Sequence, residues 1–214
     1  MSTDLTNTAL LLVDLQNDFL HPQGAYGRGG QACADIAALP ARLAPLAQAF
    51  RANGGVVIAT LFTLVPGRGG EPIISPHLKQ MRPFLTRGDF APGSWGQAVV
   101  DELQPVDASV EKLAYSAFYM TRLDWLLRKL DITHLVVGGI VTNGGVASTV
   151  RDAHVRDIEV TVLSDGCAAF SPELHRVSID ALRPVAKVMS VEDFLQTHRS
   201  WASEQVKMKQ NQKK

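Results

Sequence analysis

The chain has 214 residues, room for one large domain or at most two small ones, and 46% of them are hydrophobic, enough to bury a sizeable core. Lys plus Arg and Asp plus Glu number 21 each, so the formal net charge is zero and nothing electrostatic points to nucleic acid or an anionic membrane as partner. Two cysteines, Cys33 and Cys167, form no disulfide framework or zinc-type spacing, the polar first residues lack a signal peptide's basic region, and no apolar run reaches the length of a membrane span, so the cytoplasm is the expected compartment.

Short apolar runs alternate with stretches of helical spacing. Residues 8–14 (TALLLVD) read as a buried strand. Residues 35–53 read as a helix despite Pro40 and Pro45, stopped by Gly54-Gly55, and residues 56–62 (VVIATLF) as a second buried strand. A Gly- and Pro-rich loop from 65 to 93 exceeds the usual connection length, so it is either functional or mobile. Residues 95–103 read as a short helix, 109–113 as a strand, 121–130 as a helix and 134–140 (HLVVGGI) as a buried strand. Helix 143–156, strand 158–164, helix 172–182, strand 185–190 and helix 191–198 complete the pattern. Continuous apolar strands separated by helices predict an α/β fold: a three-layer α/β/α sandwich around a mostly parallel, about six-stranded, Rossmann-like sheet. No linker divides the chain. Residues 1–200 read as a single domain, and 201–214 as a basic tail carrying Lys207, Lys209, Lys213 and Lys214, a solvated chain end.

In an open parallel sheet, ligands bind beyond the carboxyl ends of the strands. Asp14 follows the apolar run of the first strand, where a carboxylate is poorly solvated and costly to leave unpaired. Read alone, it is more simply the cap of the following turn. Lys112 closes the 109–113 strand, and alone it reads as a surface lysine with a snorkelling stem. Together the two suggest a buried ion pair at one sheet edge, of the kind that marks proton-transfer sites. Gly144-Gly145 ends a strand and starts a helix, leaving N–H groups uncovered for an anion or developing oxyanion. Tight helix–strand packing, with Thr142 or Asn143 as N-cap, explains the same glycines.

Taken together, these residues resemble the isochorismatase-like, or cysteine hydrolase, family. The resemblance is carried by Leu12-Val13-Asp14-Leu15-Gln16-Asn17-Asp18-Phe19, by Lys112 with Tyr115-Ser116-Ala117-Phe118 and Leu123, and by Gly139-Ile140-Val141-Thr142-Asn143 with Val146, Thr149, Arg151, Asp152 and Ala153. Asp165-Gly166-Cys167-Ala168 is also similar to the family, and the match runs in order from about Ala9 to Leu195. The resemblance implies that Asp14 is a general acid or base supported by Lys112. The position of the family's nucleophilic cysteine is Gly145 here, which cannot form a thioester. It also implies a non-proline cis peptide at Ile140–Val141, oxyanion donors at the N–H groups of Val141 and Gly145, and a homo-oligomer, dimer or tetramer, formed through the Trp125 helix or the 143–156 helix. Nicotinamidases of the family bind a metal through an Asp-x-His pattern after the second strand. Residues 60–66 contain neither residue type, so no metal and no cofactor are expected. Cys167 reads as a small buried hydrophobe. His21, His77, His134, His154, His175 and His198 are scattered.

A small-molecule pocket needs apolar walls and a few polar groups. Phe19, Phe62, Trp95, Tyr115 and Phe118 are candidates for its wall, although each singly reads as ordinary core. Three readings stay open. One is a hydrolase of a small molecule in which Asp14 activates water. The second is an isochorismatase-type vinyl-ether hydrolase, for which Arg68, Arg82 or Arg87 could contact an acidic substrate, although Phe62 stands where such enzymes carry glutamine. The third is an inactive small-molecule-binding or scaffold homologue.

Overall fold

The computed structural model describes residues 5–197. Its strands are β1 (Thr8–Val13), β2 (Val56–Phe62), β3 (Ala108–Lys112), β4 (His134–Ile140), β5 (Glu159–Ala168) and β6 (Lys187–Met189). They form one sheet in the order β3-β2-β1-β4-β5-β6, every neighbouring pair parallel. Four helices follow β1: α1 (Asn17–Leu20), α2 (Ala25–Arg28), α3 (Ala34–Ala37) and α4 (Leu39–Ala52). Then come α5 (Pro76–Met81) after β2, α6 (Leu123–Lys129) after β3, α7 (Ala147–His154) after β4, α8 (Pro172–Leu182) after β5 and α9 (Val191–Thr197) after β6.

The period-2 alternation of a strand explains the three layers. In β1, Leu10 and Leu12 face a core that includes Leu39, Leu43, Leu46 and Phe50 of α4 and Phe194 of α9. Ala9, Leu11 and Val13 face the opposite core, with Leu123 and Leu127 of α6, Val150 of α7 and Leu182 of α8. Both faces of the sheet are therefore covered, as the unbroken apolar strands require. The sheet grows from β1 in one direction to β3 and then, from β4, in the other to β6. The chain ends of β1 and β4 consequently diverge, and a crevice opens between them.

The structure departs from the sequence expectations at several elements. The 35–53 helix is two helices, broken at Ala38, because Pro40 belongs in the first turn of a new helix. Residues 95–103 do not form a helix. Asn17 N–H donates to the Ala98 carbonyl, Asp18 N–H to Gly96 and Val100 N–H to Leu15, so the segment is held against the loop after β1, with only a 3₁₀ turn at Asp101–Leu103. The 121–130 helix starts at Leu123, whose N–H is capped by the Thr121 hydroxyl at 3.1 Å. A π-turn over Thr142–Val146 precedes α7 in place of a continuous helix from 143. Strand β5 runs to Ala168 through a bulge opposite Val137–Gly139, past the expected end at 164. The 65–93 loop contains α5, and its Leu85 and Phe90 form a small core with Ala25, Tyr26 and Leu64. The 201–214 tail and His198 lie outside the described residues.

Candidate active site

At the end of β1 the chain passes through the left-handed region at Asp14 (φ 56°). The Asp14 carboxyl meets the side chains of two other strands there. Its Oδ2 lies 2.6 Å from Lys112 Nζ at the end of β3, and both side chains are buried. Its Oδ1 accepts a 2.6 Å hydrogen bond from the Thr60 hydroxyl of β2, which in turn accepts from Asp14 N–H at 3.1 Å. Lys112 also donates to the Ala114 carbonyl at 3.0 Å and lies 5.6 Å from the centre of the Phe62 ring. Burial pushes the Asp14 carboxyl above its ordinary range, and the attraction of Lys112 and the Thr60 hydrogen bond only partly offset this.

The third component arrives from β4. The Ile140–Val141 peptide bond is cis, at the junction where the resemblance implied it. In the following π-turn the N–H groups of Gly144 and Val146 donate back to the Val141 carbonyl at 2.9 and 3.2 Å. Gly145 faces Asp14: a Cβ built on it would lie 3.3 Å from Asp14 Oδ2 and 2.9 Å from the Ile140 carbonyl oxygen. Gly144 leaves room for Tyr115, whose ring would stand 3.2 Å from a Cβ at that position.

These groups line a cavity of about 300 Å³ at the crevice between β1 and β4, at the small end of the ~300–1,000 Å³ range of ligand sites. Asp14, Lys112, Val141 and Gly145 all border it, with Phe19, Phe62 and Tyr115 from the expected aromatic set. Phe19 packs 4.8 Å from Tyr26, and Tyr26 stacks on Phe170 at 5.3 Å, which extends the wall. Helix α5 covers one side with His77, Leu78 and Met81, and Arg82 follows at its end.

Two expected wall residues lie elsewhere. Trp95 is 52% exposed and packs edge-on against His21, because its segment follows the loop after β1 and not the cavity rim. Phe118 is buried in the core below α7, with the Arg156 guanidinium 4.7 Å from its ring centre. Of the three loop arginines only Arg82 reaches the cavity; Arg68 is exposed, and Arg87 pairs with Glu71 on the surface. Cys167 is buried on the far side of β4, its thiol pushed up to about 12 by burial and bonded to the Val137 carbonyl, so it stays protonated and away from Asp14. Among the described residues, no cluster of three or more His, Cys, Asp or Glu is arranged to hold a metal.

The sequence reading missed Thr60, Tyr26, Phe170 and the α5 residues. Thr60 reads as an ordinary β-branched strand residue, and Tyr26 and Phe170 lie in turn-rich stretches with no periodicity. Several residues of the quoted pattern hold the site without lining it. Gln16 spans β2 and the 95–100 segment, accepting from Phe62 N–H at 2.8 Å and donating to Phe62 and Gln97 carbonyls. Asp18 accepts from Ala25 N–H at 2.9 Å and Phe90 N–H at 2.6 Å, tying two cavity loops together. Ser116 donates to Asp152, and Ala117 N–H donates to the Thr149 hydroxyl, pinning the segment after Lys112 to α7.

The isochorismatase-domain family model matches residues 8–193, nearly the whole described chain. The chain belongs to the isochorismatase family. It is 37% identical to ureidoacrylate amidohydrolase RutB of Methylobacterium radiotolerans over 191 residues, 84% of this chain and 74% of that protein. It is also 37% identical to RutB of Pantoea ananatis, over 78% of this chain and 71% of that protein. Among solved structures, a cysteine hydrolase from Pseudomonas syringae superposes with a TM-score of 0.76 at 27% identity, covering 94% of this chain and 95% of that one. N-carbamoylsarcosine amidase from Thermoplasma acidophilum superposes with a TM-score of 0.68 at 26% identity, over 86% and 96%. Membership makes this isochorismatase-family protein a hydrolase, on a sheet of the family's architecture. None of the helices among the described residues is long and apolar enough to cross a membrane.

Proposed function

We propose that this protein hydrolyses the C–N bond of a small amide or ureide by acid–base chemistry of Asp14 and Lys112 on water, without a cysteine intermediate. The observation that carries this reading is the direct apposition of Gly145 and Asp14, with 3.3 Å between a would-be Cβ and Oδ2. At the position where a side-chain nucleophile would stand beside the carboxyl group, the backbone offers none. The Asp14 carboxylate takes a proton from water as its oxygen attacks the carbonyl or carbamoyl carbon. The N–H groups of Val141 and Gly145 receive the developing oxyanion. The C–N bond then breaks, and Asp14 returns the proton to the leaving nitrogen, so one water has been added across the bond. Burial makes the Asp14 carboxylate a stronger base than a free aspartate, and Lys112 keeps it ionisable in an apolar setting. The amide or ureide class is supported by the names of the relatives, an amidohydrolase and an amidase. Residues 1–200 would form the hydrolase unit.

A second reading is favoured by the same raised carboxyl. A protonated Asp14 could protonate the alkene carbon of a vinyl ether, with water adding to the resulting cation. The two readings predict opposite pH behaviour. As a base, Asp14 gives a kcat/KM that rises with pH through its raised value; as an acid, it gives one that falls.

The test is a panel of isochorismate, nicotinamide, N-carbamoyl compounds and ureido acids, assayed with the unmodified protein, Asp14→Ala and Gly145→Cys. Turnover by the unmodified protein is expected, with a loss of about 10²–10⁴-fold on Asp14→Ala. Turnover by the Gly145→Cys variant alone would overturn the cysteine-free mechanism and leave a ligand-binding role for the native protein.

A further inference from the structure

Among the described residues, Arg82 is the one guanidinium that borders the cavity. It caps the end of α5, its own N–H bonded to the Leu78 carbonyl at 2.9 Å, and it is half-buried. Its side chain lies against the Tyr26 and Tyr115 side chains, two further cavity residues, from α2 and from the segment after β3. No carboxylate of the described residues pairs with it, whereas Arg28 and Arg87 are paired with Asp89 and Glu71. Of the other charged groups at the cavity, Asp14 and Lys112 neutralise each other at 2.6 Å. The Arg82 guanidinium is left without a carboxylate partner at a largely apolar cavity wall. An uncompensated cation in such a place is costly unless an anion joins it. The guanidinium fork matches a carboxylate in two parallel hydrogen bonds, and each tyrosine hydroxyl can donate one more. Burial pushes the Tyr26 phenol up, which keeps that donor protonated.

We infer that Arg82, Tyr26 and Tyr115 form a carboxylate-binding subsite, so that the substrate is a small carboxylic acid held by its anionic end at α5 with its reacting bond at Asp14. This deepens the proposed hydrolysis and rests on it for the second half of the statement. The first half stands on binding alone. The cavity volume of about 300 Å³ restricts the acid to a compact molecule.

Calorimetric titration with N-carbamoyl-β-alanine and its methyl ester tests the assignment, using the protein, Arg82→Met, Arg82→Lys and Asp14→Asn. The acid is expected to bind the unmodified protein roughly ten- to hundredfold more tightly than the ester, as for a charge-assisted bidentate contact. Arg82→Met should abolish that preference, and Arg82→Lys should keep part of it, because the charge remains but the fork is lost. A thermal melt of each variant confirms folding. Asp14→Asn separates the two ideas: if it stops turnover yet keeps the acid-over-ester preference, the subsite and the chemistry are both upheld. If the preference holds but Asp14→Asn leaves turnover intact, the hydrolytic mechanism falls and the subsite stands. Equal affinity for acid and ester, no binding of the acid at millimolar concentration, or a preference that survives Arg82→Met overturns the subsite.

Discussion

Asp14 concentrates the conflict on which the site depends. Burial favours its neutral form, while Lys112 at 2.6 Å and the Thr60 hydroxyl favour its charge, and burial prevails. The folded carboxyl therefore holds its proton more tightly than the unfolded chain does, where its ordinary value is 3.8. Its contribution to stability is fully present below 3.8 and is lost as pH rises through the raised folded value. Denaturant unfolding of the protein and Asp14→Asn, compared at a series of pH values, should show the difference in stability shrinking as pH rises across that window. A difference that grows with pH would mean that Lys112 outweighs burial. Gly145 belongs to the same conflict. Any side chain there would press on the Ile140 carbonyl at 2.9 Å, and so a cysteine at 145 requires the turn to shift.

At the scale of elements, the site depends on how closely β1 and β4 approach. Gly139 adopts φ 126°, and a Cβ there would lie 2.2 Å from the Val13 carbonyl oxygen, against the backbone immediately before Asp14. Gly139→Ala should cost more than about 4 kcal/mol, or prevent folding, since strain and a backbone clash add. Soluble yield and a circular-dichroism melt measure this; a change under about 1 kcal/mol would show that the two strand ends can separate without harm. The loops between the elements are held by buried acceptors. Asp18 and Gln16 each bridge segments some 70–80 residues apart, joining the loop after β1 to Phe90 and to the Gln97 carbonyl. Such groups are costly to leave unsatisfied, and so the cavity wall has a defined position although much of it is irregular chain.

At the scale of the molecule, the sheet order sets the location of the chemistry. Only because β4 pairs with β1 on the side opposite β2 do the ends of β1, β3 and β4 converge on one crevice. The outer surface carries apolar side chains that the monomer leaves uncovered, among them Trp125 of α6 and Val155 after α7. Assembly through these two helices, the surfaces expected from the family resemblance, would cover them. Light scattering on the eluting protein at micromolar concentration should give the mass of a dimer or tetramer. A monomer would remove these helices as an interface, and Trp125→Glu should lower the mass if they form one.

Much of this was legible in the chain itself. Unbroken apolar strands such as VVIATLF require cover on both faces, and so the layered parallel sheet follows from local pattern. Asp14 and Lys112 stand out because charged residues end apolar runs, a signal that is local, carried by residue type and neighbours in sequence. Gly145 stands out only through the family resemblance, which implies a nucleophile at its position. What only the tertiary structure decided is which distant residues meet. Thr60, Tyr26 and Phe170 carry no local mark, nothing local separates Arg82 from the other loop arginines Arg68 and Arg87, and Trp95 and Phe118 carry a mark that misleads. Whether an aromatic ring faces a cavity or a core is settled by the paths of the loops, and those paths are set by long-range hydrogen bonds such as those of Gln16 and Asp18. No window of sequence contains both ends of such a bond.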